Sequence, residues 1–236
     1  MEVPMVFSEA RTDDAPKNYS HRFAGCLNAA CGMLWSSAYV LYVRQAHKDS
    51  SYGMPVFALC LNLAWEFVHT FVYPLHGIGR YIHFPWVFLD ILLLVQTLKH
   101  GPEQWSHSSP IMAENFYVVV IICLFLALVA QWLFTHEFSK SNSCFWSAYL
   151  CQNILSWGSV WQLIARGHPS GHSIPIWWCR FLGSLAANLR YLYRVRAWPE
   201  KYAFLSSPLA LWMLWAPCAA DLLYPLAFQL VSRQPK

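Results

Sequence analysis

The chain has 236 residues, of which 57% are hydrophobic, 17% aromatic and only 12% Asp, Glu, Lys or Arg, with a net charge of +4. An ordinary soluble domain is about 25% charged, so this chain lacks the polar coat of a soluble enzyme or nucleic-acid binder, and it is too aromatic for a disordered segment. A mean hydropathy of +0.32, with the charges gathered between apolar stretches, points to an integral membrane protein.

Residues 1–22 form a polar N-terminal tail. Glu2, Glu9, Arg11, Asp13, Asp14 and Lys17 leave no room there for the apolar core of a cleavable signal peptide, so the first apolar helix must serve as the insertion signal. A helix needs about 20 mostly apolar residues to cross the hydrocarbon. Seven stretches of that kind follow: Phe23–Val43, Pro55–Tyr73, Tyr81–Leu98, Asn115–Thr135, Cys144–Ile164, Ile174–Tyr193 and Pro208–Val231. Turn chemistry separates them, including Lys48 to Gly53, Gly101-Pro102, Gly167 to Gly171 and Trp198-Pro199. The predicted fold is therefore all-α, a compact bundle of seven transmembrane helices over residues 23–231, closed by a C-terminal tail over residues 232–236. The expected location is a multi-pass position in a membrane, that of the endoplasmic reticulum. The eight cysteines show no CxxC pair and read as small hydrophobes.

Ionisable residues inside such spans carry the functional information, because a carboxylate at mid-bilayer costs about 2.5 kcal/mol or more. Glu66, Asp90 and Asp221 qualify, and Glu66 and Asp221 fall at similar depth, where one cavity could hold both. Asn62, Glu66, His69 and Tyr73 recur at i, i+4, i+7 and i+11, a polar stripe along one helical face. Asp221 has Tyr224 one turn on, beside Ala219 and Ala220, which permit close helix approach. Desolvation favours the neutral acid, so Glu66 is expected to be a proton donor unless a cation pairs with it. Arg180 is the one cation well inside a span, and contact between it and Glu66 would ionise the acid. Trp35, Trp65 and Trp157 lie near the middles of their spans, where aromatic rings can stabilise a carbocation. His69, His76 and His83, and His168 with His172, match no metal-ligand spacing, so no metal site and no cofactor are expected.

Several segments together resemble a known family. They are Tyr52-Gly53-Met54-Pro55, Cys60 to Phe67 with its Asn62-x-x-Trp65-Glu66 core, Tyr73-Pro74, Glu103 to His107, Arg180 to Ser184, Trp198-Pro199-Glu200, Ser207-Pro208-Leu209 and Asp221. In that order they are similar to the small fungal seven-span terpene cyclases of meroterpenoid and indole-diterpene biosynthesis, of the paxilline and pyripyropene type. Members often carry a second Arg where this chain has Ser170. The resemblance implies a cyclase acting on a lipophilic epoxyprenyl chain joined to an aromatic or indole head, supplied by a pathway prenyltransferase and an epoxidase. It maps the family's acidic pair onto Glu66 and Asp221. Glu66 would protonate the epoxide as general acid; Asp221 would hydrogen-bond or reprotonate it, or assist the final deprotonation. Asn62, Trp65, His69, Tyr73, Asp90, Trp157, Arg180 and Tyr224 are expected to contact the substrate. The competing reading is a small transporter or receptor with Glu66 and Asp221 as proton relay or ligand counter-ion.

Overall fold

The computed structural model describes residues 21–74 and 78–233. The tail up to residue 20, His76 and residues 234–236 lie outside the described residues. Among the described residues there is no strand. In chain order the helices are α1 (His21–Asp49), α2 (Val56–Phe67), α3 (Ile78–Trp105), α4 (Pro110–Glu114), α5 (Phe116–Glu137), α6 (Lys140–Arg166), α7 (Ile174–Ala197) and α8 (Pro208–Ser232). A π-helical turn, Val68–Val72, continues α2, and a 3₁₀ turn, Ala203–Ser206, precedes α8.

Six of the seven predicted stretches each correspond to one long helix, and the second, Pro55–Tyr73, to the shorter α2 with its π-helical continuation. By length and composition three helices, Arg22–Asp49, Phe116–Glu137 and Pro208–Ser232, can cross a membrane, and the apolar Val56–Val72 is shorter. The remaining three long helices are less apolar because they bring polar groups inward, such as Asp90 on α3, Ser156 and Ser159 on α6 and Arg180 on α7, all buried. The outer face of α5 exposes Ile121, Ile122, Phe125, Leu126, Trp132 and Leu133. An apolar patch of that extent suits lipid contact and not water.

Local chemistry sets the helix ends. Pro208 occupies the first turn of α8, and the Ala210 N–H donates to Ser207 Oγ at 3.3 Å, satisfying one amide that the helix itself leaves free. Gly167 ends α6 in the left-handed region, with φ +68°. Helix α1 packs along α7 and α3, α2 against α5, α3 and α6, and α6 against α8. Tyr39, Tyr42, Leu59, Ala64, Leu155 and Ile176 are buried where these helices meet.

The turn expected at Gly101-Pro102 is absent, and α3 continues to Trp105. Tertiary contact overrides the local signal: a Cβ on Gly101 would come within 2.0 Å of the Phe116 ring, and Trp105 Nε1 donates to Tyr52 Oη at 2.6 Å. These contacts belong to a lock at one end of the bundle that includes two of the segments that carried the resemblance, Tyr52 to Pro55 and Glu103 to His107. Ser51 Oγ donates to Gln104 Oε1 at 3.0 Å, Arg166 Nη1 to the Tyr52 carbonyl at 2.8 Å, and Gln162 Nε2 to the Gly53 carbonyl at 2.8 Å. The Gly171 amide donates to Asp49 Oδ2 at 2.8 Å.

Gly171 has φ +82°, and a Cβ there would lie 2.4 Å from the Tyr52 carbonyl carbon. Gly171→Ala is therefore expected to cost at least about 1–2 kcal/mol from the backbone alone, read as a lower unfolding temperature in detergent. Gly25→Ala is the control. Its Cβ would meet nothing within 4 Å, and the unfolding temperature should not fall.

Candidate active site

A cavity of about 440 Å³ lies between α1, α2, α3, α6 and α7, within the range that takes a small organic ligand, roughly 300–1,000 Å³. Its walls are aromatic. Trp35 and Tyr39 come from α1, Trp65 from α2, Trp86 from α3 and Tyr149 from α6. His83 also lines it, wedged between Trp65, 4.8 Å away, and Trp86, 5.4 Å away and stacked.

Glu66 stands directly behind this wall, 0% exposed. Its Oε1 accepts from Tyr39 Oη at 2.9 Å and from Asn62 Nδ2 at 3.1 Å, and both donors line the cavity. Asn62 Nδ2 also donates to Asp90 Oδ2 at 2.7 Å and makes a close contact with Tyr39 Oη. Asp90 is likewise 0% exposed. Asn62 bridges the two carboxyls, since Glu66 and Asp90 each accept from its Nδ2. An amide, a phenol and two acids on three helices thus form one polar cluster at the inner end of an aromatic chamber.

Asp221 belongs to a second cluster. Its Oδ1 pairs with Arg180 Nη2 at 3.2 Å, both side chains being buried. Arg180 Nη1 donates to Tyr42 Oη at 2.9 Å, to Ser159 Oγ at 3.1 Å and to His172 Nε2 at 3.3 Å. As an acceptor at Nε2, His172 must be the neutral tautomer with its proton on Nδ1. The Trp177 indole N–H donates to the Asp221 carbonyl at 2.6 Å, and Tyr224 packs on His172 with ring centroids 4.6 Å apart. The shared cavity expected for Glu66 and Asp221 is replaced by two separate clusters. Arg180 neutralises Asp221 and makes no contact with Glu66 among the described residues. The reason is positional: Tyr39 and Tyr42, one turn apart on α1, take their hydroxyls to different neighbours, one to Glu66 and the other to Arg180.

The other expected contacts divide in the same way. Asn62 and Trp65 line the cavity, whereas His69 is buried behind Trp65, with ring centroids 5.2 Å apart. The stripe does not continue to Tyr73, because the π turn Val68–Val72 breaks the 3.6-residue period; Tyr73, with φ −131°, has already left the helix. Trp157 points outward and is 38% exposed. Arg180 and Tyr224 stand in the Asp221 cluster. Tyr39 and Tyr42 were not singled out from the sequence, and His83 and His172 were weighed there only as metal ligands. Tyr39 and Tyr42 did carry a signal, two phenols three residues apart toward the end of an apolar span, where a buried hydroxyl needs a partner.

Comparison with known proteins identifies the family. A family described as Pyr4-like transmembrane terpene cyclases matches residues 10–234. The chain is 35% identical over 206 residues to the Pyr4-family terpene cyclase mfmH of Annulohypoxylon moriforme, covering 87% of this chain and 85% of that one. It is 32% identical to the terpene cyclase macJ of Penicillium terrestre over 212 residues, covering 88% and 81% of the two chains. Against the terpene cyclase pyr4 of Aspergillus fumigatus it is 29% identical over 206 residues, covering 87% and 85%. No solved structure matches the chain. A lipid-facing helical bundle around an aromatic chamber, matched over nearly its whole length to one family, makes the conclusion direct: the chain belongs to the Pyr4-like transmembrane terpene cyclases.

Proposed function

We propose that this protein is a seven-span cyclase of the endoplasmic reticulum membrane, residues 23–231 forming the catalytic bundle, that protonates the epoxide of an epoxyprenyl-aromatic substrate and guides its cationic ring closure. The supporting observation is the buried Glu66–Asp90 pair, held by Tyr39 and Asn62 in the wall of the aromatic cavity. Two carboxyls around one amide cannot both ionise in a dry site, so the pair carries a proton. Glu66 is the general acid, delivering that proton to the epoxide oxygen directly or through the Tyr39 hydroxyl it already bonds.

The epoxide C–O bond breaks with its electron pair going to oxygen, which takes the proton and stays on the product as a hydroxyl. The cation left on carbon is captured in turn by the π electrons of the chain's alkenes. Loss of a C–H proton to the ionised pair ends the sequence and restores the acid. The product is an isomer of the substrate. Because no diphosphate departs, the sequence of steps calls for no metal ion. Trp35, Trp65, Trp86 and Tyr39 face the passing positive charge, each ring contributing up to about 2 kcal/mol when desolvated, and the aromatic wall around the reacting chain limits the water that could quench it. Asp221 acts as a positioning residue through Arg180, tying α8 to α7 and to the helix that bears Tyr39. The substrate is made by a prenyltransferase and an epoxidase of the same pathway and reaches the cavity from the bilayer.

Membranes carrying the protein, incubated with epoxyfarnesyl and epoxygeranylgeranyl phenols and indoles, should yield a cyclised isomer of unchanged mass. Recovery of only the starting epoxides from every probe overturns the reading.

A further inference from the structure

The end of the cavity remote from Glu66 is cationic. Arg190 and Arg194, one turn apart on α7, both line it, together with Asn28 of α1. One Nη of Arg190 donates to the Asn28 side-chain carbonyl, and its guanidinium lies 4.7 Å over the Tyr191 ring. Its Nε is buried with no partner among the described residues. The guanidinium of Arg194 lies 5.5 Å over the Tyr202 ring. Among the described residues the one ion pair is Arg180–Asp221, so neither Arg190 nor Arg194 has a carboxylate. A partly desolvated cation with free donors and no counter-charge, turned into a ligand-sized chamber, is costly unless something anionic enters.

We propose that Arg190, with Arg194, binds an acidic, oxygen-bearing aromatic head of the substrate, a carboxylate or an enolate beside a carbonyl, in preference to a neutral ring or an indole. The planar guanidinium fork matches two adjacent acceptor oxygens. Asn28 and Tyr39 are separated by 11 positions on the same helix, about 16 Å along its axis. The head is therefore held at one end of the chamber while the epoxidised end of the chain reaches the Glu66 cluster at the other. This assignment rests on the cyclase reading above and adds the class of head group to it.

The test uses detergent-solubilised full-length protein and two probes, an epoxyfarnesyl hydroxybenzoic acid and its methyl ester, which differ in charge and hardly in shape. For the wild type the acid should show the lower KM. Arg190→Gln should raise the KM of the acid by about 10- to 100-fold, the worth of a charged hydrogen bond, with kcat and both constants for the ester little changed. Arg190→Lys, which keeps the charge but loses the fork, should fall between. Equal effects on the two probes, or none on either, overturn the proposal and leave the cation serving lipid headgroups, while cyclisation of both probes keeps the cyclase reading standing. Arg190-dependent, acid-selective binding without any isomerisation has the opposite meaning: the head-group site stands and the cyclase reading falls.

Discussion

Glu66→Gln is expected to lower the rate of cyclisation by about 10²- to 10⁴-fold, the usual worth of a general acid, while leaving the folded protein intact. Glutamine keeps the shape of the side chain and an oxygen that can still accept from Tyr39 Oη and Asn62 Nδ2. Only the transferable proton is lost. Tyr39→Phe should reduce the rate less, because it removes the relay hydroxyl and one hydrogen bond but leaves the acid. Isomer formation in membranes with matched amounts of each variant measures both. Undiminished turnover by Glu66→Gln would remove Glu66 from the chemistry and leave the Glu66–Asp90 pair as a structural contact between α2 and α3.

The second large effect concerns stability. Replacing Asp221 alone by Leu leaves Arg180 charged and buried, which is expected to cost about 3–5 kcal/mol, enough to remove most of the folded protein. Arg180→Met combined with Asp221→Leu removes both charges and should restore much of that loss, since two well-packed apolar side chains avoid the desolvation that the pair must offset. Tyr42, Ser159 and His172 lose a partner in the double variant, so recovery should be incomplete. Thermal unfolding in detergent reads the stability, and cyclisation by the double variant reads the role. Folded and active double variant protein makes Asp221 a positioning residue. Folded but inactive protein returns it to the reacting groups.

The two outcomes differ because the sequence treats Glu66 and Asp221 alike and the packing does not. Each is a carboxyl near the middle of an apolar stretch, and hydropathy cannot say which of them has a cation beside it. That distinction depends on α7 crossing close to α8, with Trp177 and Arg180 turned toward Asp221. Asp90 reverses in the same way. In sequence it is an isolated acid on the third stretch; in the fold Asn62 brings it to Glu66, across 28 positions of chain.

The helical architecture was legible because hydrocarbon imposes a length and a composition on any segment that crosses it, and the low charge content left few places to end those segments. The polar residues that matter were legible for the same reason, as exceptions to the hydropathy around them. The pairing of those exceptions was not, since it depends on which helices touch and on local departures from regular geometry. The π turn after Glu66 carries Tyr73 off the expected stripe, Gly101 allows α3 to run on beneath Phe116, and Trp157 faces outward although it sits at the same depth as the cavity. Sequence by itself determined that this protein is a helical membrane bundle with buried acids. Only the tertiary structure decided that Asn62 links Glu66 to Asp90 beside an aromatic chamber while Asp221 neutralises Arg180, because long-range contacts between helices, and not local composition, choose each buried charge's partner.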